Sequence, residues 1–212
     1  MNSRQDVPTP GESSEAGLSL IEVLIYMVLA VVVLIIVGGL LIASLTSERK
    51  VRDSTQASNT GQLVARSVGE GVRNARAIKI TSPSGGGQLL MVRTASVTTS
   101  QTWLCQAWYF GGGILGEVRT RTTSPASAIP SLPADIATWT LLGTGINPVS
   151  GGAVVTALPI TDPPIMNPRS IQLTFDVTAG TGKPVRINTA ATSLQPVPVP
   201  VPASGVESSP CF

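Results

Sequence analysis

Residues 23–45 run for 23 positions without a charged side chain. At 1.5 Å of rise per residue a helix of that length covers roughly 34 Å, enough to cross the hydrocarbon of a bilayer. The surrounding text, EAGLSLIEVLIYMVLAVVVLIIVGGL, places the small pair Ala16-Gly17 and the single acid Glu22 just ahead of the run. A secretory signal has an apolar core of about 7–15 residues with the small-residue cleavage site after it, so this order disfavours one. A plain single-span anchor is the other reading, and Glu22 argues against it. A carboxylate within an apolar helix costs on the order of 2.5–3.5 kcal/mol on insertion scales, and is usually paired, functional or snorkelling to the interface. A cut between Gly17 and Leu18 would free an α-amino group four residues before this acid, on the same helix face. A neighbouring chain's amine would serve equally well if the helices pack with a stagger.

Composition removes many other possibilities. The chain has no His and two Cys among 212 residues, so zinc clusters, Cys/His dyads and Ser-His-Asp triads lack their parts. A net charge of +2, from 14 basic and 12 acidic residues, does not point to a polyanionic partner. No phosphate loop, paired-carboxylate motif or metal-ligand spacing stands out, so no catalytic residue, metal site or cofactor is assigned. Glu117, Asp135, Asp162 and Asp176 are scattered acids that only a fold could bring together.

The stretch GLSLIE followed by a long apolar run resembles the signature of the type IV prepilin and pseudopilin family. The resemblance covers residues 16–45 and extends more loosely to a helix-then-sheet layout. It implies a leader over residues 1–17, cut after Gly17 by a membrane prepilin peptidase that also methylates the new terminus at Leu18. It makes Glu22 the fifth residue of the mature chain and an assembly residue. The implied partners are that peptidase/methyltransferase, other pilin or pseudopilin subunits, and the membrane, with nucleic acid only if the filament serves DNA uptake. Two departures from the family pattern are visible. The first mature residue is most often Phe or Met, and Leu18 is a hydrophobe of similar bulk. Family leaders are commonly basic, yet MNSRQDVPTPGESSEAG has Arg4 against Asp6, Glu12 and Glu15, while Arg49, Lys50 and Arg52 follow the span. A positive-inside count would put the C-terminal part in the cytoplasm. A Gly17-Leu18 junction facing the peptidase implies the reverse: a single-pass chain with its N-terminus cytoplasmic before processing, and a cell-surface or extracellular filament afterwards.

Within the span, Gly38-Gly39 weakens the helix locally, at about 1 kcal/mol per Gly relative to Ala; this is ordinary tolerance in membrane helices, or a place that loosens on leaving the bilayer. After residue 45 the pattern turns amphipathic. Val64, Val68, Val72 and Ala75 recur at helical spacing with Arg66, Arg73 and Arg76 displaced from them, which predicts a helix to about Ala77 and a weak Glu70–Arg73 pair. Strands are predicted over residues 88–94, 102–110, 114–122, 137–142, 153–158, 170–178 and 184–189, separated by Gly, Pro or Ser clusters. WLCQAWYF-GGG-ILGEVRTRT and IQLTFDV-TAGTGK-PVRIN read as hairpins, with Ile171, Leu173, Phe175 and Val177 facing inward. The expected fold class is therefore α+β: a long N-terminal helix, transmembrane in its first half and amphipathic in its second, packed on a C-terminal antiparallel sheet. The expected divisions are a leader (1–17), an assembly helix (18–45), an amphipathic helix (46–80), a β-rich domain (81–195) and a Pro-rich tail (196–212).

Trp103, Trp108, Tyr109 and Phe110 crowd one predicted strand, as core residues or as a ligand-binding cluster. Pro196, Pro198, Pro200 and Pro202 alternate with Val or Ala and imply an extended tail. In an exported chain Cys105 and Cys211 read as a disulfide stapling that tail to the sheet, the other reading being two buried thiols. Together these features lead to the expectation of a structural subunit, a minor pilin or pseudopilin, of a type IV pilus or secretion filament. Two other classes stay open: a membrane-tethered binding module that never assembles, and a membrane-tethered enzyme.

Overall fold

The structure, a computed structural model, describes residues 19–83, 86–95, 102–111, 116–130, 135–158, 168–196 and 209–212. The chain divides into two units, Met1–Glu48 and Arg49–Phe212. A single helix, α1 (Leu20–Arg73), supplies the described part of the first unit and the opening of the second. In the first unit the side chains of residues 23–37 are all exposed, and this is the one described helix long and apolar enough to cross a membrane.

Among its described residues the second unit has nine strands: β1 (Ala75–Thr81), β2 (Gln88–Ala95), β3 (Trp103–Phe110), β4 (Val118–Thr123), β5 (Thr140–Gly143), β6 (Ile146–Pro148), β7 (Val155–Ala157), β8 (Ser170–Val177) and β9 (Val185–Thr192). The first five form an antiparallel sheet in sequence order, each strand pairing with the one before it. In the second sheet β8 pairs with β9 along one edge, and with β6 and then β7 along the other. The fold is α+β.

Period-two patterning explains how β8 sits. Ile171, Leu173, Phe175 and Val177 are at most 1% exposed, while Ser170, Gln172, Thr174 and Asp176 face outward. The same inner face receives α1, whose Ala57, Gly61, Val64, Val68, Gly71 and Val72 are buried. Leu90, Val92, Trp108, Phe110 and Val118 of the first sheet complete this core. The opposite face of the first sheet is also covered. Leu89, Met91, Cys105 and Ala107 pack with Ile129, Trp139 and Cys211 from the irregular segments. Strand β2 therefore reads as an apolar run rather than an alternation, as a strand covered on both faces must.

Several expectations are corrected. The helix stops at Arg73 instead of continuing to about Ala77, and residues 75–80, expected to close the amphipathic helix, belong to β1. The carbonyls at the helix end and at the start of β1 find partners beyond α1. Asn74 donates to Glu70 O from both its backbone N–H (3.3 Å) and its side chain (3.0 Å), Leu194 N–H donates to Arg73 O (2.9 Å), and Ser193 Oγ–H donates to Ala75 O (2.6 Å). Glu70 pairs with Arg66, one turn back at 2.8 Å, rather than with Arg73. Among the described residues the strands form two sheets where one was expected, with Gly145 at φ 76° in the turn between β5 and β6. The remaining predicted strands are present with shifted ends, and both predicted hairpins form.

Candidate functional site

The sequence directs attention to the start of α1. Its first turn opens with Ser19 O accepting from the backbone N–H of Glu22 (2.9 Å) and Val23 (3.2 Å). Glu22 lies in this turn, where a carboxylate is favoured by the helix dipole. Its Oε1 accepts a hydrogen bond from the Tyr26 hydroxyl at 2.9 Å, four residues on. Gly17 and Leu18, the expected processing junction and terminus, lie outside the described residues. No basic residue stands between Glu22 and Arg49 in the sequence, so the downstream span offers this carboxylate no intrahelical cation. The sequence reading missed Tyr26, although its i,i+4 spacing from the acid was a visible signal.

The second sequence-derived feature is the cysteine pair. Cys105 on β3 and Cys211 are joined, with the sulfurs 2.01 Å and the Cα atoms 5.4 Å apart, and both residues fully buried. Backbone bonds fix the described tail residues around it. Ile129 N–H donates to Cys211 O (2.9 Å) and Cys211 N–H to Ser209 Oγ (3.2 Å). Lys79 Nζ lies 5.4 Å from the Phe212 ring centroid, a cation–π contact. Cys211 and Phe212 therefore help cover the outer face of the first sheet. Residues 197–208, including Pro198, Pro200 and Pro202, lie outside the described residues.

The aromatic strand splits between two roles. Trp108 and Phe110 are core, and the Trp108 indole N–H donates to Ser67 Oγ at 3.0 Å beneath α1. Tyr109 packs on the second core and donates to Gly86 O at 3.0 Å. Trp103 is partly exposed, with the Arg93 guanidinium 4.7 Å from its ring centroid.

The described acids of that set each pair with a separate Arg. Glu117 pairs with Arg119 at 2.8 Å, Asp135 with Arg121, and Asp176 with Arg186 at 2.9 Å; Asp162 lies outside the described residues. The Arg186 hydrogen bond, outweighing partial desolvation, holds the Asp176 carboxyl below its ordinary range. Desolvation raises the Asp135 carboxyl, but the hydrogen bond and charge of Arg121 outweigh it and leave the group lowered. These pairs fasten β8 to β9, and β4 to the turn ahead of β5. Among the described residues, no three His, Cys, Asp or Glu side chains gather as metal ligands. A groove of about 800 Å³ runs beside α1, lined by Leu63, Ser67, Gly71, Thr94, Leu104 and Gln106 among others. Among the described residues lining it, Glu70 is paired with Arg66.

No protein-family model, curated protein or solved structure matches this chain.

Proposed function

We propose that this chain is a structural subunit of a membrane-derived filament of the type IV pilus or secretion-pseudopilus kind, a minor pilin or pseudopilin, processed at Gly17-Leu18 and assembled through α1. The observation that carries the reading is α1 itself. Its large apolar side chains from Val23 to Leu45 are exposed, and the same helix goes on to supply one face of the second unit's core. Uncovered apolar surface of that extent requires lipid or other helices around it. Glu22 adds a charge that needs a partner in such surroundings, and a freed amine at Leu18 of a neighbouring subunit has the right chemistry.

The buried Cys105–Cys211 disulfide supports export of the second unit, because disulfides persist in oxidising compartments. It opposes the orientation given by counting Arg49, Lys50 and Arg52. On this reading the N-terminus faces the cytoplasm, where the prepilin peptidase/methyltransferase acts, and other pilin or pseudopilin subunits are the assembly partners.

Two measurements test the proposal. N-terminal sequencing with intact mass of the membrane-extracted chain should give a start at Leu18 carrying an N-methyl group, and Gly17→Val should leave residues 1–17 attached. A chain still beginning at Met1 in cells that make a prepilin peptidase would favour a membrane-anchored binding module that never assembles. Glu22→Gln should leave insertion, cleavage and the disulfide intact while depleting the chain from sheared filaments. Equal incorporation at equal expression would remove Glu22 from assembly.

A further inference from the structure

Every described side chain from residue 19 to residue 37 is exposed except that of Glu22, which is half-covered, and its hydrogen-bonded neighbour is Tyr26. Helix geometry explains the reach. Each Cα–Cβ bond tilts toward the helix N-terminus, so a long side chain at i+4 leans back over position i, one turn or about 6 Å behind it. The phenol spans that rise and delivers its proton to Oε1 at 2.9 Å. Its character as a donor matters more than its proximity. A phenol O–H forms a charge-assisted bond to a carboxylate without carrying a charge of its own, so it fixes the group and leaves its negative charge in place. A Lys or Arg at the same i+4 position would neutralise Glu22 within its own helix.

Resting on the assembly reading above, we infer that Tyr26 is a positioning residue. It holds the Glu22 carboxylate on one face of α1 with its charge intact, reserved for a cationic group, an amine, on a second copy or a related subunit. The interaction surface is thus the Glu22–Tyr26 face, and a cation presented from another helix is what it is shaped to accept.

The test uses the full processed chain. Tyr26→Phe removes one oxygen and keeps the ring; incorporation into sheared filaments, normalised to the membrane pool, should fall on the order of tenfold, as expected for loss of a hydrogen bond to a charged group. In a Glu22→Gln background the same change should have no further effect, because the two residues act as one unit. Tyr26→Lys should fall to the level of Glu22→Gln, with cleavage and the disulfide retained in every variant. Tyr26→Phe assembling like wild type, or losing as much in the Glu22→Gln background as alone, overturns the positioning role. A readout free of assembly is the 13C resonance of Tyr26 Cζ in chain reconstituted into lipid vesicles. It should move on Glu22→Gln, and an unmoved resonance overturns the pairing itself. If Glu22→Gln alone assembles normally, the assembly reading fails and takes this role with it; a silent Tyr26→Phe beside a defective Glu22→Gln overturns only the inference about Tyr26.

Discussion

Gly71 shows how closely α1 lies on the first sheet. A Cβ at this position would collide with Cη2 of Trp108 and stand 2.9 Å from Cζ2, so the indole occupies the space a side chain would need. Trp108 is held there from both directions, by its bond to Ser67 and by its place in β3, and cannot retreat cheaply. Overpacking of this kind costs about 1–3 kcal/mol, against about 1 kcal/mol gained from replacing a helical Gly by Ala. Gly69, two residues away on the same helix, has nothing within 4 Å of its Cβ position. Gly71→Ala should therefore destabilise the chain, and Gly69→Ala should stabilise it by up to about 1 kcal/mol. Denaturant midpoints of the two variants in detergent should move in opposite directions; a shift of the same sign in both would contradict the packing argument. The helical spacing of Val64, Val68 and Val72 was legible in the sequence, but the burial of Gly71 and the identity of the ring above it were not. That contact joins residues 37 positions apart, and no local pattern encodes it.

At the scale of elements, the strands with strict alternation or bounded by glycine turns were the legible ones. Strand β8 is the clearest case, since IQLTFDV buries every second residue. The start of β1 was misassigned because Ala75 continues the i, i+3, i+4 series of Val68 and Val72 and is indeed buried. A residue can satisfy helical spacing and still begin a strand when pairing partners are available, here Thr94 opposite Ala75 and Val92 opposite Ile78. The short β6 was missed because three residues carry too little periodicity to read. The tail residues 209–212 cannot form a stable element alone, and the disulfide, with a sequence separation of 106, binds them to β3. Replacing Cys211 with Ser should cost about 2–5 kcal/mol in a chain of this kind. It should also raise hydrogen exchange at the Ile129 amide, whose acceptor is Cys211 O, while amides of β8 bonded to β9 keep their protection. Unchanged exchange at Ile129 would mean that the tail stays seated without its staple.

For the whole molecule, the decisive contrast is between uncovered and covered apolar surface. Leu34, Ile35 and Ile42 are 68–69% exposed, whereas Val64, Val68 and Val72 on the same helix are fully buried. The unit Arg49–Phe212 contains both buried clusters and the disulfide. A chain beginning at Arg49 and made in an oxidising compartment should be soluble without detergent and carry the Cys105–Cys211 bond, while the full chain should need detergent. Aggregation of the shorter chain with free thiols would show that the second unit depends on the first for folding. What the sequence determined by itself was whatever depends on neighbours along the chain: the length of the apolar span, the acid at its start, the alternation of β8 and the glycine turns of two hairpins. What the tertiary structure decided was where α1 gives way to β1, the division into two sheets, the Glu70–Arg66 partnership and the joining of Cys105 to Cys211. Those outcomes depend on side chains brought together from distant positions, or on competition among local partners that only packing resolves, because periodicity constrains which face is buried but not what buries it.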